Sequence, residues 1–121
     1  MLSIEVAERG ELTLLHCRGS LVAGFATERF REIALGYSDG VLLIDASELE
    51  KIDAAGVGVW VEVHQKAECS GGAVIIADPK PWVNECLRLT RVDMVLNLVT
   101  LAPSAGPARR AKLAQLRYAA A

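Results

Sequence analysis

The chain has 121 residues, 52% of them hydrophobic and 23% charged, with a net charge of −2. That is enough for one compact domain with a real core and too little for two ordinary ones. The balanced charge gives no field for a polyanion, so nucleic acid is not an expected partner, and no apolar run reaches the ~20 residues that span a bilayer.

The N-terminus, MLSIEVAERGEL, carries acids early and has no long apolar stretch, so it does not read as a signal peptide. Residues 2–7 alternate Leu2, Ile4 and Val6 against Ser3 and Glu5, the pattern of a half-buried strand. After a turn at Arg9-Gly10-Glu11 a second strand runs from Leu12 to Cys17, with Leu12, Leu14 and His16 on one face; the short spacing predicts a hairpin. Gly19 and Gly24 punctuate the loop that follows. A helix then starts at a Thr27 cap or nearer Gly24, with Phe30, Ile33 and Ala34 at helical spacing, and Gly36 to Gly40 break it.

VLLID at residues 41–45 is a continuous apolar run of the kind buried on both faces of a parallel sheet, and Asp45 is expected to close it by bonding the next loop. A helix from about Ala54 to Cys69 follows, with Val57, Trp60, Val61 and His64 inward and Glu62, Gln65, Lys66 and Glu68 outward. Gly71-Gly72 ends it, and AVIIA at 73–77 is a further buried strand. Pro81 suits the first turn of a helix facing Val83, Cys86 and Leu87 inward, with Trp82 open to partial exposure. Residues 96–101 read as a last strand and about 107–119 as a terminal helix carrying Arg109, Arg110, Lys112 and Arg117. Strands alternating with helices imply an α/β domain over residues 1–121, with its core at about 3–102. The expected sheet is mixed, of four to five strands, with about four helices largely on one side.

The cysteines Cys17, Cys69 and Cys86 are widely spaced and form no cluster with His16 or His64, so no metal site, cofactor or disulfide framework is expected. A reduced, cytoplasmic protein fits this usage. No nucleophile elbow, paired carboxylates or Ser/His/Asp order emerges, and no enzymatic activity is expected.

From VLLID through DAAGVGVW to the glycine pair and AVIIA, the chain resembles the STAS domain of bacterial anti-sigma factor antagonists, and Gly19-Ser20-Leu21 resembles the family's Gly-x-Leu step. In that family a buried strand ends in Asp, a short loop ends in an Asp-Ser-x-Gly-like motif that opens a helix, and a glycine pair precedes the next strand. The resemblance implies a protein-binding module with its partner surface at Asp53, Ala54, Ala55, Gly56 and Val57 together with Ser20, Leu21 and Val22. The implied partner is an anti-sigma factor of serine-kinase type or another regulatory protein, with a homodimer also open. The alternative is a scaffold, stressosome-like or an accessory subunit of a lipid-transport ATPase. Family members are switched by phosphorylation of a serine beside the Asp. Here that serine falls on Ala54 and is followed by Ala55, so DAAG has no hydroxyl to modify, and Val22 replaces an often polar residue. Asp53 is independently expected to cap the helix, and Gly56 and Gly58 to let it approach a neighbouring backbone.

Overall fold

VLLID and AVIIA lie side by side near the middle of a five-stranded sheet in the computed structural model, which describes residues 1–100. In chain order the elements are β1 (Leu2–Arg9), β2 (Leu12–Leu21), α1 (Phe25–Gly36), β3 (Val41–Ile52), α2 (Ala54–Cys69), β4 (Ala73–Ala77), α3 (Pro81–Leu89), a 3-10 turn (Val92–Met94) and β5 (Asn97–Val99). Spatial order follows sequence order, β1-β2-β3-β4-β5. The first pair is antiparallel, joined by the tight turn at Gly10, and every later pair is parallel. Each parallel step needs a crossover, which α1, α2 and α3 provide.

Alternation within the strands divides the apolar residues cleanly. Leu15 and Cys17, Leu42 and Ile44, Val74 and Ile76 face Phe30, Trp60, Val63, Val83 and Leu87 of the three helices in the main core. Leu12, Leu14, Leu43 and Ala77 point the other way and form a second cluster, drawn, among the described residues, from strands. Both faces of the central strands are therefore buried, which is why VLLID and AVIIA are unbroken apolar runs rather than alternating ones. Burying an aliphatic or aromatic side chain contributes about 1.5–3 kcal/mol, so the main core dominates the stability.

Several expectations change in detail. The sheet is mixed and five-stranded with its helices on one side, as the sequence implied, but the described residues hold three α-helices and one 3-10 turn; the fourth helix expected at about 107–119 lies outside them. The second strand does not stop at Cys17. It continues to Leu21 because Gly19, at φ 107°, admits the irregular register by which the chain pairs on with Leu49 and Ile52. The third strand likewise continues past Asp45, so that residue sits inside a strand rather than closing one. In α2 the buried face includes Val59, Val63 and Ala67 besides Val57, Trp60 and His64, while Val61 is only half-buried. A helix between sheet and a neighbouring helix is covered over a wider arc than a single stripe. Cys86 and Ile33 are half-buried, and the last strand is the shorter Asn97–Val99. Thr27 is not a cap: Gly24 precedes the helix, and the Thr27 hydroxyl donates back to the Val22 carbonyl.

Candidate partner-binding surface

Three connections meet at the carboxyl ends of the parallel strands: residues 22–24 before α1, Asp53 before α2, and residues 78–80 before α3. Because β3 lies between β2 and β4, the start of α2 stands between the starts of the other two helices. Asp53 joins two of the three. Its Oδ1 accepts the Gly56 N–H at 3.0 Å, capping α2, while its Oδ2 accepts the Ala23 N–H at 2.9 Å. Its own N–H donates to the Leu21 carbonyl at 3.3 Å. The backbone bonds from Ala23 and then Gly56 hold the Asp53 carboxyl below the usual carboxylate range, because they favour its charged form. One side chain thus fixes the loop before α1 and the first turn of α2 as a single unit.

Gly56 is what lets them meet. A Cβ there would stand 2.3 Å from the Leu21 carbonyl oxygen and 2.8 Å from Ile52 Cγ1. Gly58 differs from expectation: a Cβ there meets nothing within 4 Å, since the residue faces outward.

The residues expected to touch a partner divide by burial. Ala54 and Ala55 are exposed; Asp53, Val22 and Ser20 are half-buried. Leu21, Gly56 and Val57 are buried, so they support the surface from beneath rather than form it. Ser20 and Leu21 belong to β2 and not to a loop, for the reason Gly19 gives. Phe25, which the sequence reading passed over, is 87% exposed at the first position of α1, and an aromatic immediately after Gly24 was the available signal. Trp82 is 55% exposed at the first turn of α3; its indole N–H donates to the Glu50 carbonyl at 2.6 Å, and Lys80 Nζ lies 5.3 Å from the ring centroid. The surface is therefore an alanine-glycine patch with the exposed Phe25 on one side and Trp82, held by its indole bond, on the other.

Behind it, β2 and β3 are tied by a polar cluster. His16 Nδ1 lies 2.8 Å from Asp45 Oδ2, and Nε2 lies 2.5 Å from Glu48 Oε2; Arg18 Nη2 also donates to Glu48 at 3.1 Å. His16 and then Arg18 lower the Glu48 pKa. His16 thus stands between two acids that the sequence pattern did not place beside it. The acids arrive from 29 and 32 residues away through the parallel register, which no local pattern reveals. Opposed carboxylates use both ring nitrogens, and among the described residues no group of three His, Cys, Asp or Glu could hold a metal. Burial, with Asp45 adding to it, pushes the Cys17 thiol up to about 12, which leaves it inert as a nucleophile.

The STAS domain model matches residues 3–106. The chain belongs to the STAS domain family. The fold is shared with the anti-sigma factor antagonist SpoIIAA in its unphosphorylated form, at 15% identity and a TM-score of 0.76, over 96% of this chain and 97% of that one. An anti-sigma factor antagonist from Mycobacterium paratuberculosis is similar at 18% identity and TM-score 0.69, over 81% and 85% of the two chains. A STAS domain protein from Planctomyces limnophilus gives 17% and 0.64, over 92% and 97%. In this STAS domain, no helix among the described residues is long and apolar enough to cross a membrane.

Proposed function

We propose that this STAS domain is a cytoplasmic protein-binding module of the anti-sigma factor antagonist kind, without catalytic activity, that regulates transcription by binding an anti-sigma factor of serine-kinase type. The docking surface is the 22–25 segment with the first turns of α2. The observation that carries the reading is the Asp53 carboxylate, which holds loop and helix start together while Ala23, Phe25, Ala54, Ala55 and Gly58 stay exposed. A preformed apolar patch loses little entropy on binding, which is what a docking face requires. Ala54 and Ala55 have no hydroxyl, so phosphorylation at this motif cannot switch the module off, and it stays in its binding-competent form.

The test starts with affinity capture from the native cell and identification of the partner by mass spectrometry. A kinase-like anti-sigma factor supports the reading. A transporter ATPase or a large homomeric assembly supports the scaffold instead. Calorimetric titration then compares the parent with Ala54→Glu and Ala55→Glu. An acidic residue in the first turn of a helix is neutral to stabilising, by about 0.3–1 kcal/mol, so both variants keep the parent's circular dichroism. At the interface the charge is desolvated without a partner, and binding weakens on the order of a hundredfold. Parental affinity in both folded variants refutes the surface.

A further inference from the structure

Both ring nitrogens of His16 face carboxylate oxygens, Nδ1 at 2.8 Å from Asp45 Oδ2 and Nε2 at 2.5 Å from Glu48 Oε2. The other bonds of these acids are bonds that they accept. Asp45 Oδ1 accepts the Ser47 N–H at 3.1 Å, and Glu48 Oε2 accepts Arg18 Nε and Nη2 at 3.3 and 3.1 Å. An ionised carboxylate only accepts, and a neutral imidazole donates from one nitrogen alone. The two contacts therefore need one proton more than a neutral ring carries, and the cluster holds it. The charged groups set around the ring are Glu5 of β1, opposite it in the register, Arg18 of β2, and Asp45 and Glu48 of β3. With the proton, three acids face two cations. Without it they face one.

His16 stands where that proton has consequences. It is the last regular pairing of β2 before the irregular register, and beyond it Arg18 to Leu21 pair with Glu48 to Ile52. This stretch leads into the docking surface: the Leu21 carbonyl accepts the Asp53 N–H, and Asp53 follows Ile52. We propose that the His16–Asp45–Glu48 cluster is a proton-operated latch that holds the ends of β2 and β3 and so regulates the docking surface; this rests on that surface being the one a partner uses. Asp45 is 2% exposed and has almost no access to water, so a neutral ring keeps its single N–H on Asp45. Nε2 then turns a lone pair to Glu48, whose side chain is 46% exposed and leaves with Arg18. The tie at the irregular register is present in acid and is lost as pH rises, as for any proton that the folded cluster holds more tightly than the unfolded chain.

The test uses the full chain with nitrogen-labelled histidine. Long-range proton–nitrogen spectra over about pH 5–9 distinguish an imidazolium from a neutral ring. The expected result is an imidazolium at His16 in acid that passes to a ring protonated on Nδ1. Over the same interval the amides of Leu49 to Asp53 should lose protection severalfold, after correction for intrinsic exchange. His16→Gln should show no such step, and neither should Glu48→Gln, whose amide can donate to the neutral ring. His64, beside Glu68 on α2, is assigned as the histidine that remains in the His16→Gln spectrum. A His16 ring with a single proton throughout the range overturns the proposal, and so does amide protection that ignores its transition. Titration of the captured partner at both ends of the range then separates latch from surface. Affinity should fall severalfold with rising pH for the parent and stay level for Glu48→Gln. If protection falls and affinity does not, the latch stands and the docking surface is refuted.

Discussion

At Gly56 and Gly58 two glycines of one helix turn have opposite roles. The first lies against the Leu21 carbonyl, where a Cβ would stand 2.3 Å from the oxygen; the second faces open space. Gly56→Ala must push α2 away from β2 and should cost about 1–3 kcal/mol, as overpacked sites do. Gly58→Ala relieves a helix interior of glycine and should stabilise by about 0.5–1 kcal/mol. Urea titrations of the two variants check both, and equal shifts of the same sign would refute the placement. Asp53 yields a pH dependence. Its folded-state pKa is depressed, so its contribution is fully present above the unfolded value of about 3.9 and is lost as pH falls through the folded pKa. Asp53→Ala should cost about 1 kcal/mol at neutral pH, the worth of a helix cap. The gap from the parent should close as the medium is acidified below about pH 4, measured by thermal unfolding across pH. A gap that is constant with pH would mean that the carboxylate's charge has no part in the cap.

The elements were legible where periodicity is strong and obscure where register decides. VLLID, AVIIA and the span Ala54–Cys69 stand out because an unbroken apolar run or a helical stripe is a local property of the sequence. The extensions of β2 to Leu21 and β3 to Ile52 were not visible. LeuGluLysIle at 49–52 has no strand alternation of its own and is held by its pairing with Gly19 to Leu21 across the bulge. The same holds for the candidate site. Asp53 as a cap could be read from its position before a helix, but its second bond to Ala23, thirty residues upstream, exists only once β2 and β3 are neighbours. Within α2 the buried face is sharply defined. Val57 is 5% exposed in the main core, so Val57→Asp buries a charge without a partner and should cost several kcal/mol, enough to unfold a domain of ordinary stability. Lys66 is exposed, with its ammonium donating to the Leu35 carbonyl at 3.3 Å, and Lys66→Ala should stay within about 0.5 kcal/mol. Equal melting temperatures for the two would contradict the helix face described.

Across the whole molecule, chemistry and scaffold can be separated, because the fold needs Asp53 and Gly56 whereas the absent hydroxyl touches neither. Ala54 and Ala55 point outward in the first turn of α2, and neither side chain packs into the core. Serine at both positions adds a small polar group at a helix start, where it is well tolerated. The doubly substituted chain, Ala54→Ser with Ala55→Ser, should therefore melt within about 0.5 kcal/mol of the parent. Function separates the two proteins. When each is incubated with ATP and the captured partner, if that partner is a kinase, only the serine form can gain a phosphate in this turn, seen as a mass increase on the peptide spanning residues 52–66. A phosphate adds nearly two negative charges to the proposed docking surface and should release the partner from the serine form alone. The parent should bind equally with and without ATP. ATP-dependent release of the parent would place the switch on another residue. If the serine form is phosphorylated at residue 54 or 55 yet still binds with undiminished affinity, the start of α2 is not the docking surface.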